Sequence, residues 1–323
     1  MSKPKIVVTR RWPQEVEDIL VKEFDTTLNL SDVPMTVSEL HEALQTADAV
    51  CPTVSDKIDA EVLGATNMKA TILASNGVGF NHIDLDAAKA AGLTVTNTPE
   101  VLTDCTADLA MTLMLMIARR AGEGERHVRG NEWTGWRPTH MMGTSVTGKT
   151  LGFIGMGRIA RAVAQRAAQG FGMNIIFHDP FPPTAADLEG LNATQCNSPD
   201  EVYANADFIT LHCPGGETTH HLINAEAFGK MKPGAYVINT ARGDVIEEQA
   251  LVDALKSGQI AGAGLDVYEF EPKVSEELAS MENVVLLPHL GSATTETRVA
   301  MGMRVVDNLR AYFAGNIPGD KVV

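Results

Sequence analysis

Three polar residues stand just beyond apolar runs: Arg242 in Asn239-Thr240-Ala241-Arg242-Gly243, Glu271 in Asp266-Val267-Tyr268-Glu269-Phe270-Glu271-Pro272, and His289 in Pro288-His289-Leu290-Gly291. A guanidinium, a carboxylate and an imidazole together suit the reduction of a carbonyl that neighbours a carboxylate. An imidazole titrates near neutrality and can protonate the forming alkoxide. A carboxylate bonded to that ring fixes its tautomer and keeps it protonated. An arginine can grip a substrate carboxylate and orient the adjacent carbonyl by charge-assisted hydrogen bonds. Taken singly, each residue has an ordinary structural explanation; jointly, in a chain that also carries a cofactor motif, the catalytic reading is favoured. Glu269 competes with Glu271 for the carboxylate role, and spacing alone leaves both open.

Such a reduction needs a hydride donor. Gly155-Met156-Gly157-Arg158-Ile159-Ala160 follows the apolar run Leu151-Gly152-Phe153-Ile154 and opens a helical pattern. In that context Gly155 permits a tight turn, Gly157 lets a pyrophosphate approach the backbone, and Ala160 allows close packing of helix on strand. Asp179 lies 22 residues beyond Gly157, after the next strand. A carboxylate there accepts both ribose hydroxyls of an adenosine and repels a 2′-phosphate, so NAD, with NADH as reductant, is expected over NADP.

These residues must be positioned by strands and helices. A chain of 323 residues is longer than one core usually supports, so two domains are expected. Strands at Lys5–Thr9, Thr26–Leu28, Ala49–Cys51, Lys69–Ala74 and Thr94–Thr96 alternate with helices from Pro13, from Thr36 and over Asp84–Ala91. A second series runs through strands Thr150–Ile154, Asn174–Phe177, Phe208–Leu211, Tyr236–Asn239, Gly262–Leu265 and Val284–Leu287, with helices Arg158–Gln169 and Glu247–Ser257. Both read as parallel sheets, in which ligands bind beyond the carboxyl ends of strands. Pro99–Ala121 reads as one buried helix, apolar on almost every face. Gly122–Gly148 reads as a loop or arm, and Ala293–Ala314 as a long helix returning to the first domain. The expected division is 1–99 with 292–323, and 100–291.

The formal charge of −15 argues against a nucleic-acid partner. The longest apolar stretch, Leu109–Ala118, has about half the residues needed to cross a bilayer, so no membrane association is expected. The N-terminal apolar run is too short for a signal peptide, which points to the cytoplasm. Cysteines 51, 105, 196 and 213 show neither close pairing nor metal-ligand spacing; they read as free thiols, and no metal is expected. Cys213, beside Pro214-Gly215-Gly216, reads as a small strand-end residue rather than a nucleophile.

Gly77-Val78-Gly79-Phe80-Asn81-His82-Ile83-Asp84, Gly155–Ala160, Asn239–Gly243, Glu271-Pro272 and His289–Gly291 together make the chain resemble the D-isomer-specific 2-hydroxyacid dehydrogenase family over nearly its whole length. The resemblance implies two Rossmann-like α/β domains, a flavodoxin-like substrate domain and an NAD-binding domain, with the active site in a cleft between them, and a homodimer with an arm near 122–148. It implies Arg242, Glu271 and His289 as the catalytic set, the intervals of 29 and 18 residues favouring Glu271 over Glu269. The same carry-over gives Asn76, Val78, Gly79 and Arg242 to the substrate, the Val78 and Gly79 N–H groups taking its carboxylate in a backbone nest. It gives Thr106, Gly155, Gly157, Arg158, Ile159, Asp179, Cys213, Pro214, Thr218, Thr240, Ala241, Asp266, His289 and Gly291 to the cofactor. Glu132-Trp133-Thr134-Gly135-Trp136-Arg137-Pro138 resembles the arm of the family's glyoxylate and hydroxypyruvate reductase branch, in which a tryptophan of the partner, here Trp136, limits the pocket to small 2-ketoacids. Rival readings within the fold are a broad 2-ketoacid reductase, a phosphoglycerate dehydrogenase and, outside enzymology, an NAD-sensing corepressor. A formate dehydrogenase is disfavoured because that branch has Gln in place of Glu271.

Overall fold

A computed structural model describes residues 2–323 and divides the chain into two units, residues 1–102 with 292–323, and residues 103–291. The first unit holds a five-stranded sheet built from β1 (Lys5–Val8), β2 (Asp25–Leu28), β3 (Ala49–Cys51), β4 (Ile72–Ala74) and β5 (Thr94–Thr96). Its order is β2-β1-β3-β4-β5 and every pairing is parallel, the flavodoxin-like arrangement. Strands β3 and β4 are apolar and buried throughout, as expected of strands covered on both faces. One face packs Leu40, Leu44, Val62 and Leu93; the other packs Trp12, Val16, Leu20, Val305 and Leu309. The last four of these come from helix Gln14–Glu23 and from a C-terminal helix, Thr295–Phe313, where Gly302 lets the two helices close at Val16.

The second unit holds seven strands: β6 (Thr150–Ile154), β7 (Asn174–His178), β8 (Ala193–Gln195), β9 (Phe208–Leu211), β10 (Ala235–Asn239), β11 (Ile260–Leu265) and β12 (Val284–Leu286). They run in the order β12-β11-β10-β9-β6-β7-β8, all parallel. The direction of winding reverses between β6 and β9, and ligands of doubly wound sheets bind outside such a switch point. Helices Thr103–Ala118 and Arg158–Phe171 cover one face through Ala110, Leu113, Ile117, Val163 and Ala167; Tyr203, Phe228, Leu251 and Leu278 cover the other. No helix among the described residues is long and apolar enough to cross a membrane.

Two boundaries differ from the sequence expectation. The helix expected over Pro99–Ala121 spans Thr103–Ala118, because Glu100 adopts φ +74° and Arg120 φ +52°, conformations a helix cannot continue through. The expected loop from Gly122 instead begins with a helix, Ala121–Arg129. Gly122 and Gly124 obscure it in the sequence, but Arg120 pairs with Glu123 at 2.6 Å and Arg129 pairs with Glu125 one turn earlier, which offsets the low propensity of glycine.

Candidate active site

β6 ends at Ile154, and Gly155 then turns the chain at φ +87° into the start of helix Arg158–Phe171. A Cβ on Gly155 would lie 2.8 Å from the His212 carbonyl and 2.9 Å from the Cys213 nitrogen, so the loops after β6 and β9 abut at the switch point. Gly157 meets the opposite condition: a Cβ there would face open space. The helix it caps has no side-chain N-cap and no acidic residue in its first turn, which leaves its N–H groups and positive dipole end available to an anion. Asp179 follows β7, and its carboxylate accepts from the Met156 N–H at 2.7 Å and the Phe181 N–H at 2.7 Å. It therefore braces the glycine loop and retains lone pairs for hydroxyl donors. Arg158, Pro214 and Thr218 are exposed and Ile159 half-buried around the same end of the sheet, while the buried Thr240 hydroxyl has no partner. An uncapped helix start, an open glycine and an orphaned hydroxyl fit a dinucleotide. Burial pushes the Cys213 thiol up to about 11, so it is no thiolate nucleophile at neutral pH.

The polar constellation sits on three consecutive strands of the other half of the sheet. After β10, the Asn239 side chain receives the Ala241 N–H at 3.0 Å and donates to the Arg242 carbonyl at 2.9 Å, folding a tight turn. Arg242 donates to the Ala241 carbonyl at 2.7 Å. Burial lowers the guanidinium's pKa, opposed by Glu271 and Asp244; an arginine stays protonated under such a shift. Gly243 is obligatory, because a Cβ would lie 1.8 Å from the backbone of Tyr268. That close approach presses the turn after β10 onto the loop after β11.

On that second loop the two glutamates part company. Glu271 Oε2 lies 2.9 Å from His289 Nδ1, and Oε1 accepts the Tyr268 N–H at 3.1 Å. Glu269 instead bonds His221 Nε2 at 2.7 Å and accepts the Glu248 N–H at 3.0 Å. Burial works to raise the Glu271 carboxyl, but the His289 hydrogen bond and charge, the Tyr268 N–H and Arg242 outweigh it, and its pKa lies below the usual carboxylate value. Nδ1 of His289 being engaged, Nε2 is the atom left to meet a substrate.

His289 follows β12 in the left-handed region, φ +55°. Asp266, directly after β11, holds it there. The Asp266 carbonyl accepts the His289 N–H at 2.9 Å, and the carboxylate accepts the Leu290 N–H at 2.6 Å and the Gly291 N–H at 2.8 Å. Burial raises the Asp266 pKa. Thr106 secures the same loop from beneath, donating to the Gly291 carbonyl at 2.9 Å. The family resemblance implies Thr106, Asp266 and Gly291 at the cofactor; the bracing they provide is visible only in the folded backbone.

The remaining expected residues lie elsewhere. Asn76, Val78 and Gly79 belong to the first unit, beyond β4. The Asn97 amide donates to the Val78 carbonyl at 2.8 Å and the Thr98 N–H to the Gly77 carbonyl at 3.0 Å, which fixes this loop on the segment after β5. The Asn76 side-chain oxygen is buried without a partner. Trp136 is 82% exposed in the irregular segment after helix Ala121–Arg129.

Residues 111–291 match the family model described as D-isomer specific 2-hydroxyacid dehydrogenase, NAD binding domain. The chain is 42% identical to a glyoxylate reductase of Thermococcus litoralis over 99% of its length and 97% of the relative's. It superposes on a glyoxylate reductase from Paecilomyes thermophila with TM-score 0.88 at 32% identity, covering 100% of this chain and 99% of that one. It also superposes on an NADPH-dependent glyoxylate/hydroxypyruvate reductase from Sinorhizobium meliloti, in complex with NADP and malonate, with TM-score 0.88 at 34% identity, covering 100% and 97%.

Proposed function

The chain belongs to the D-isomer specific 2-hydroxyacid dehydrogenase family, and on that premise we propose that it reduces glyoxylate and hydroxypyruvate with NADH, His289 delivering the proton. The observation that carries this reading is the His289–Glu271 pair at 2.9 Å on neighbouring strand ends, in the same sheet as a glycine loop shaped for a dinucleotide. A nicotinamide dinucleotide supplies the hydride when bound.

In this reading Arg242 binds the substrate carboxylate and steers its carbonyl oxygen toward His289 Nε2. His289 protonates the alkoxide as it forms, and Glu271 stabilises the imidazolium and fixes which nitrogen faces the substrate. The Val78 and Gly79 N–H groups take part of the carboxylate's charge, and Asn76 joins them at the substrate. Gly155, Gly157, Arg158 and Ile159 cradle the pyrophosphate. Asp179 takes the ribose hydroxyls, and no cation among the side chains bonded to it offsets a 2′-phosphate, which supports NADH over NADPH. Cys213, Pro214, Thr218, Thr240 and Ala241 line the remainder of the cofactor channel. The protein acts as a homodimer, with Trp136 offered to the partner's pocket, and works in the cytoplasm.

The test is steady-state oxidation of NADH, and separately of NADPH, with glyoxylate, hydroxypyruvate, pyruvate and bulkier 2-ketoacids. The proposal expects turnover on the two smallest hydroxy- or hydrogen-bearing substrates with NADH preferred. Tight NADH binding without turnover on any ketoacid would instead support a sensor of the cofactor.

A further inference from the structure

We propose that His220, His221 and Glu269 form a binding site for a divalent transition-metal ion, with Zn2+ the best chemical match. One ligand atom from each of the three lies within 4.8 Å of the others. His221 Nε2 and Glu269 Oε1 are already 2.7 Å apart, and the two imidazole rings stack with centroids 3.8 Å apart. Two imidazoles and one carboxylate form a donor set that zinc accepts, with a fourth position left for water. Tetrahedral ligation with bonds near 2.1 Å sets donor atoms about 3.4 Å apart, so the 2.7 Å His221–Glu269 pair must open slightly while His220 closes on it. His220 is exposed and its side chain can turn to make that closure, while the other two ligands are held.

The holding is specific. The second Glu269 oxygen accepts the Glu248 N–H at 3.0 Å, an outer contact that aims the first oxygen at His221. His221 donates its backbone N–H to the Asp244 carbonyl at 2.9 Å and sits at φ +50°, and His220 donates its own to the Gly216 carbonyl at 2.8 Å. The site thus joins three segments: the turn after β9, the turn after β10 and the loop after β11. An ion bound there ties the turn bearing Pro214 and Thr218 to the loop bearing Glu271, two residues from Glu269. None of the three ligands belongs to the catalytic set.

The experiment is titration of the whole metal-free protein with Zn2+ by calorimetry and with Co2+ by visible absorption. The wild-type chain should bind one ion, with tetrahedral Co2+ bands and no thiolate charge-transfer band. His220→Ala, a change at an exposed residue, should leave melting temperature and metal-free turnover unchanged and weaken the ion by more than about tenfold, since even outer-shell losses reach that size. Glu269→Gln should weaken it similarly. The proposal is overturned if the wild-type chain binds no ion, if His220→Ala binds as tightly as wild type, if a thiolate band appears, or if His289→Ala rather than His220→Ala removes the ion.

Discussion

Glu271 Oε2 and His289 Nδ1 meet at 2.9 Å although 18 residues separate them, because β11 and β12 lie side by side and parallel. Replacing the proposed proton donor of this pair should abolish most turnover. His289→Ala is expected to lower kcat by about 10²- to 10⁴-fold while the dissociation constant of NADH stays within a small factor. Rapid-quench and fluorescence titration separate the two; an unchanged kcat removes His289 from the chemistry.

Glu271→Gln tests the partner through pH. The native carboxyl titrates below its ordinary value of about 4.3, so its contribution to stability is present in full above that value and is lost as pH falls through the folded one. The stability deficit of the variant should therefore be constant above about pH 5 and shrink on further acidification. Its ketoacid reduction should also lose kcat with KM little changed, because the amide cannot stabilise by charge the imidazolium that Nδ1 contact with Glu271 serves. Denaturation curves against pH and steady-state kinetics read these two effects, and an unchanged kcat sinks the positioning role.

The proposed preference for NADH rests on Asp179. Asp179→Ala should weaken NADH by more than about tenfold and leave NADPH equal or improved, since the ribose acceptor and the repulsion vanish together. Because Asp179 also accepts the Met156 N–H, some loss common to both nucleotides is expected beneath the difference. Parallel losses of the same size would contradict the assignment.

Gly243→Ala should be severe without touching any reacting group. Its Cβ would overlap the Tyr268 backbone at 1.8 Å, and neither strand end can retreat without breaking the sheet. A stability loss of about 3 kcal/mol or more is expected. Calorimetry would show it, and a melting temperature within a degree of wild type would mean that the loops after β10 and β11 are not pressed together.

Much of this arrangement is legible in the residues themselves. Apolar runs such as Phe208–Leu211 are buried on both faces and mark parallel strands without ambiguity, and Gly155 with Asp179 marks the switch point because a turn and an acceptor are required there. Short polar elements are not legible: β8, Ala193–Gln195, carries no alternation, and helix Ala121–Arg129 is disguised by two glycines. Residue types alone leave Glu269 and Glu271 open, and it is the intervals of the family resemblance that favour Glu271. The fold adds the physical difference between them: two residues apart, Glu269 reaches His221 and Glu271 reaches His289. The bracing by Asp266 belongs to the same kind, since its three acceptor bonds go to backbone that the sequence does not announce.

The order β12-β11-β10-β9-β6-β7-β8 also has a bearing on how far a local change is felt. Arg242, Glu271 and His289 occupy one uninterrupted stretch of polypeptide, Asn239 to Gly291, on strands that are neighbours both along the chain and across the sheet. The glycine loop and Asp179 lie on the far side of the reversal. The two halves stay joined by the β6–β9 pairing and by helix Thr103–Ala118, which packs on both, so a change where Gly155 meets His212 and Cys213 is felt on either side of the reversal.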